Sequence, residues 1–191
     1  MEALIHFVKE YQTRITLTTR IILRFGRALN SPHLLDCRCT PDICRNIIST
    51  IGNNTSITYS CTMEHVYRDY EQEYVIHSKG ENNYFVTTLE TSQPIEGVRA
   101  ILQETEKLPL ENFPNRTQYH DEFHRNRHIF DYEKLLEIHF ITEDRNKSCV
   151  HMIEIHITKH NLYGAPLFEA LEKVIGVIEG TEGSPLTRVE A

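Results

Sequence analysis

Leu136-Glu137-Ile138-His139-Phe140 and Ile153-Glu154-Ile155-His156-Ile157 share one pattern, and the reading of these two segments decides the fold. In each, apolar side chains occupy the first, third and fifth positions, and Glu and His occupy the second and fourth. A period of two means a strand with one apolar and one polar face. Asp144-Arg145-Asn146-Lys147 lies between them and supplies a turn. Residues 134–159 are therefore expected to form an antiparallel hairpin. Its apolar face turns inward to a core and its acid–imidazole face outward to solvent.

Further alternation surrounds this hairpin. Ile57, Tyr59, Cys61 and Met63 alternate with Thr58, Ser60 and Thr62, and strands are expected near 73–78 and 83–90 about the turn Lys79-Gly80-Glu81-Asn82. Helices are expected at 3–11, at 41–51 (N-cap Thr40, Pro41 in the first turn, stop at Gly52), from Pro94 to Lys107, and at 166–179. Ile15, Leu17, Ile21, Leu23 and Phe25 sit at alternate positions and favour a strand, with a long helix through Arg27 as the rival. Residues 108–133 have no core pattern and read as a long irregular arm. The expected architecture is one α+β domain over 1–179, a mostly antiparallel sheet with helices packed on one face, and a flexible tail at 180–191.

Composition excludes several classes. A chain of 191 residues with 40% hydrophobic and 25% charged residues is in the globular range and needs no disulfide or metal to hold a core. No run approaches a membrane span and no secretory signal pattern opens the chain, so a cytoplasmic or nuclear protein is expected. Five cysteines at irregular spacing are no disulfide framework, and sequons at Asn53, Asn54, Asn115 and Asn146 are read as chance. The net charge of −7 opposes wholesale nucleic-acid binding. P-loop, dinucleotide-binding and nucleophile-elbow motifs are absent from the sequence.

Four groups carry candidate chemistry. The polar face of the hairpin gathers Glu137, His139, Glu154 and His156. A register that sets Glu137 opposite His156 and His139 opposite Glu154 clusters four titratable groups, able to bind a divalent metal or to supply an acid and a base. His120, His124 and His128 recur every four residues, and on a helix they would share a metal-binding face. Cys37, Cys39 and Cys44, with His33 or Cys61, lack the paired spacing of zinc modules and read as core cysteines. Arg14, Arg20, Arg24 and Arg27, near Arg38 and Arg45, form a basic set that could meet phosphate.

The leading expectation is a non-catalytic interaction subunit without a cofactor. It docks protein partners through Phe113, Tyr119, Phe123, Arg125, Arg127 and Phe130 of the arm, residue types that anchor interfaces. The alternative is a metal-dependent hydrolase, for instance of phosphodiesters, centred on the Glu/His cluster. A nucleic-acid-binding accessory protein using the four arginines is the third reading.

Overall fold

The computed structural model describes residues 1–28, 35–36, 39–52, 57–69, 72–78, 82–95, 97–114, 119–145, 148–159 and 164–183. Eight long antiparallel strands close into a barrel: β1 (Thr19–Phe25), β4 (Ile57–Arg68), β5 (Gln72–His77), β6 (Asn83–Ile95), β7 (Val98–Pro109), β8 (Asp121–Tyr132), β9 (Leu136–Arg145) and β10 (Ser148–Ile157). They run in the order β1-β10-β9-β8-β4-β5-β6-β7, and β7 pairs back onto β1. A small ribbon joins β2 (Arg27–Ala28) to β3 (Leu35–Asp36). The helices among the described residues are α1 (Glu2–Tyr11), α2 (Pro41–Gly52) and α3 (Gly164–Gly180), with two short 3₁₀ turns. None of them is long and apolar enough to cross a membrane.

The α+β expectation is overturned: the sheet has no free edges and encloses an interior. Most of its apolar side chains point out of the barrel, although Ile22, Val75, Phe85, Ile129, Ile141 and Met152 line the interior. Ile21 and Leu23 of β1, Ile138 of β9 and Ile155 of β10 are all fully buried on the outer wall, beneath Phe7 of α1, Ile47 of α2 and Leu171 of α3. The polar faces close around the lumen. The hairpin register is the one that pairs Glu137 with His156 and His139 with Glu154. Those side chains point into the barrel, and His139, Glu154 and His156 are at most 2% exposed. The face expected to meet solvent is buried, because the sheet curls toward its polar side.

Two further expectations fail for the same reason. Residues 94–107 are not a helix but largely β7, whose Val98, Ala100 and Leu102 meet the outer core while Ile101 is buried on the opposite face. A strand apolar on both faces imitates helical periodicity. The segment 108–133 is not an irregular arm. Its second half is β8, a full stave of the barrel, paired with β4 over twelve positions and with β9 over nine. Its alternation is hidden because one face lines a charged lumen and much of the other carries polar groups. The turns at 79–81 and 146–147, His33, Cys37, Arg38, Arg116, the sequon asparagines and residues 184–191 lie outside the described residues.

Charge pairing joins the staves from within. Arg125 of β8 donates to Glu73 of β5 at 2.6 and 2.9 Å and to Glu143 of β9 at 3.1 and 2.8 Å, and stands 3.5 Å from Glu64 of β4. Burial alone would raise the pKa of these carboxyls. The guanidinium groups outweigh it, Arg125 foremost at Glu73 and Glu143 and Arg127 foremost at Glu64, so all three are held below the ordinary carboxylate value. Removing Arg125 would leave Glu64 to Arg127, Glu73 to Arg68 and Glu143 to Arg145 alone, and breaking a buried pair in this way typically costs about 3–5 kcal/mol.

Depressed carboxyl pKa values stabilise the fold above the unfolded glutamate value of about 4.3, and that contribution is lost as pH falls through the folded values. Urea midpoints should therefore fall steeply below about pH 4, after an earlier decline below about pH 6.5, where unfolded imidazoles take up protons that buried His139 and His156 resist. Arg125→Met should lower stability by about 3–5 kcal/mol at pH 7, and its deficit should shrink on acidification. A deficit independent of pH would contradict this account. On the outer wall, Ile155→Ala should cost about 2–5 kcal/mol in the same urea titration.

Candidate active site

The lumen is a cavity of about 450 Å³ with a closely matched set of charges on its wall. Arg20, Arg24, Lys107, Arg125 and Arg127 face Glu64, Glu73, Glu137, Glu143 and Glu154, with His77, His139 and His156 among them. Alternation in β1 directs Arg20 and Arg24 inward while Ile21 and Leu23 face the outer core. The same alternation in β9 and β10 delivers the Glu/His pairs.

The centre of the site is a pair of stacked imidazoles. The rings of His139 and His156 lie 3.7 Å apart at an interplanar angle of 9°. His139 Nε2 is 2.9 Å from Glu137 Oε2, and its Nδ1 is 3.2 Å from Arg127 Nη1. Because a guanidinium only donates, this arrangement assigns the lone pair to Nδ1 and the proton to Nε2. His156 Nε2 is 2.7 Å from Glu154 Oε2. Glu154 also accepts from Arg24 Nε at 2.7 Å and from Arg127 Nη1 at 3.5 Å. Burial lowers the pKa of both imidazoles; Arg127 adds to this at His139, and His139 and Arg20 add to it at His156. Glu154 stays ionised despite burial because Arg24, His156 and Arg127 surround it.

Two groups in this network are incompletely served. His156 Nδ1 is buried and has no hydrogen-bond partner. Arg20 donates from Nη2 to Thr105 Oγ1 at 2.9 Å, a neutral hydroxyl, while every other guanidinium in the lumen contacts a carboxylate. Lost hydration and the neighbouring Arg127 lower its pKa, a sign that the site has room for negative charge. Glu137, His139 and His156 offer three donor atoms within 4.8 Å of one another, the one such group among the described residues.

The other candidates are dispersed. His120 precedes β8, whereas His124 and His128 lie on its outer face; His124 stacks on His65 and His128 meets the Tyr59 hydroxyl at 2.8 Å. Four residues along a strand span about 13 Å, too far for two imidazoles to share one ion. Cys39 and Cys44 have sulfurs 3.3 Å apart, and Cys61 lies on β4. Of the basic set Arg20 and Arg24 enter the lumen; Arg14 ends a 3₁₀ turn beside Tyr11, and Arg27 begins β2.

The docking residues are built into the fold. Phe113 and Tyr119 pack with Tyr67 and Tyr74, and Phe123 is buried with Val66 and Val75. Phe130 leans on Phe140, and Arg125 and Arg127 line the lumen. The sequence reading missed Glu64, Glu73 and Glu143 as members of the site, and it placed Arg125 and Arg127 on an interface. No local motif marks these residues, because strands distant in sequence bring them together.

No family model and no curated protein matches this sequence. Solved structures do match its fold. The S. pombe Pct1 RNA triphosphatase is 10% identical, with a TM-score of 0.62 over 96% of this chain and 92% of that one. The same enzyme in complex with the Spt5 CTD gives 0.61 at 10% identity, covering 96% and 93% of the two chains. The Mimivirus capping enzyme triphosphatase gives 0.61 at 8% identity, covering 92% and 96%. The expectation of a non-catalytic adaptor is thus corrected, since its supposed docking arm is a stave of a barrel shared with RNA triphosphatases. At these identities the likeness is one of fold.

Proposed function

We propose that the protein is a metal-dependent hydrolase of phosphoric anhydrides, which removes the terminal phosphate from a 5′-triphosphate end such as that of RNA. The observation that carries this reading is the interior of the barrel. A closed lumen places Arg20, bonded to a hydroxyl, beside a three-donor cluster that contains an orphaned imidazole nitrogen. A triphosphate chain is the kind of ligand that satisfies both: its oxygens accept from guanidinium, and they coordinate metal. The likeness in fold to RNA triphosphatases supports the same substrate class.

The donor set fits a divalent ion. Glu137, His139 and His156 would hold it, His139 by giving up its contact to Glu137 or Arg127 to free a lone pair, and two imidazoles with one carboxylate favour Mn²⁺, Co²⁺ or Zn²⁺ over Mg²⁺. When bound there, such an ion supplies Lewis acidity toward phosphoryl oxygens. The protein's own contribution is orientation and charge. Arg20 and Arg127 neutralise the phosphoryl oxygens, and the saturated Arg125 cluster keeps that wall of the lumen rigid. Glu154, fixed by Arg24, holds the proton on His156 Nε2 and leaves Nδ1 bare. Water attacks the terminal phosphorus, the bond to the bridging oxygen breaks, and orthophosphate and a diphosphate end are released. A protein partner is supported by the likeness to Pct1 solved with the Spt5 CTD, and a cytoplasmic or nuclear setting fits an RNA end as substrate.

Phosphate release from a 5′-triphosphorylated oligonucleotide should be measurable with Mn²⁺ or Co²⁺, and His156→Ala or Arg20→Ala should lower it by at least about a hundredfold. Release no greater than that of His156→Ala with any of Mg²⁺, Mn²⁺, Co²⁺ and Zn²⁺ ends this reading. Cobalt titration gives a readout separate from turnover. The wild-type protein should develop visible Co²⁺ absorption bands, and His156→Ala should not.

A further inference from the structure

Beyond the charged centre, the lumen wall carries several apolar side chains for which the phosphate chemistry has no use, Leu17 and Phe85 among them. Leu17, just ahead of β1, is 77% exposed yet lines the cavity. Phe85 of β6 is half-buried and lines it too. The back of Phe85 is supported by the buried cluster of Val66, Val75 and Phe123. His77 meets its ring edge-on at 4.9 Å, and Lys107 Nζ stands 5.6 Å from its centroid.

The register ties this group to the centre. Phe85 pairs with Lys107, and Thr105 N donates to Thr18 O at 2.8 Å, so Leu17 and Phe85 approach β7 from its two neighbouring strands. Thr105, which holds Arg20, and Lys107 are two residues apart on one face of β7, about 7 Å. The sequence of inward groups therefore runs from the imidazole pair through Arg20 and Thr105 to Lys107 and Phe85.

We infer that Leu17, His77, Phe85 and Lys107 form a nucleobase subsite. It grips the first base behind the triphosphate between Phe85 and Leu17, with Lys107 against the adjoining phosphate. This rests on the triphosphate reading and specifies its substrate as nucleotide-bearing rather than inorganic polyphosphate. An aromatic ring backed by a core and flanked by a cation is the arrangement that stacks bases without reading their sequence. An exposed leucine at the mouth of a charged cavity gains burial when a base covers it. A chain of phosphates alone offers neither side chain a partner.

The test compares two ligands on the intact chain: a fluorescein-labelled 5′-triphosphorylated trinucleotide, and inorganic tripolyphosphate competing against it. The wild-type protein should prefer the trinucleotide by at least about tenfold, and Phe85→Leu should reduce that preference by about tenfold, in line with the usual worth of one base–aromatic stack. No preference in the wild type, or an equal preference in the folded variant, overturns the subsite. Should Phe85→Leu fail to fold, Leu17→Ser decides, since its exposed position carries no packing: a preference reduced severalfold supports the proposal, and an unchanged one overturns it. Phosphate release measured in parallel separates the two ideas. A wild-type protein that releases none but retains the base-dependent preference loses the hydrolase reading and keeps the subsite.

Discussion

Arg125 reaches from β8 to carboxylates on β5 and β9, with Arg125 and Glu143 nearly removed from water and Glu73 largely so. On an open sheet these side chains would be hydrated and their pairing would add little. Inside a closed barrel hydration is scarce, so each charge must be met by an opposite one on another stave. The rest of the structure follows from that requirement. Glu64 meets Arg127, Glu154 meets Arg24, and Glu143 also takes Arg145, so the lumen is cross-linked by ion pairs while the apolar core lies outside the wall.

Departures from this pairing mark where chemistry can occur. A fully matched lumen would be inert, as it is around Arg125. Near β1 the matching is incomplete: Arg20 is bonded to a hydroxyl, and His156 Nδ1 has no partner. Buried polar groups left in this state cost free energy, and a structure retains them where a ligand completes the set. Burial disfavours the charged form of both imidazoles; Arg127 adds to this at His139, and the stacked His139 ring 3.7 Å away adds to it at His156. Neutral rings are the form that coordinates metal.

Much of the site was legible along the chain. The repeated Glu-Ile-His segments were recognisable as paired strands with clustered titratable faces, and that face is the heart of the cavity. Arg20 and Arg24 were visible only as members of a basic set with Arg14 and Arg27 that could meet phosphate. Glu64, Glu73 and Glu143 were not visible, because each sits in a strand whose neighbours give no motif. Their cross-stave ion pairs join residues far apart, such as Arg125 with Glu143, 18 residues on, and Arg127 with Glu64, 63 residues back. The stave Asp121–Tyr132 escaped notice because its alternation sets charge against polar groups rather than apolar against polar.

The sequence by itself determined the two-faced strands: which side chains share a face is fixed by the period of two, and no fold can alter it. Which face would be enclosed was decided only by tertiary structure. A two-sided sheet can bury its apolar side and leave its charges wet, or it can cover that side with helices and also close on its charges. The choice depends on whether eight strands can curl far enough to pair β1 with β7, and on whether the enclosed acids and bases balance. Both are sums over residues far apart in the chain, and they acquire a value only when the barrel shuts.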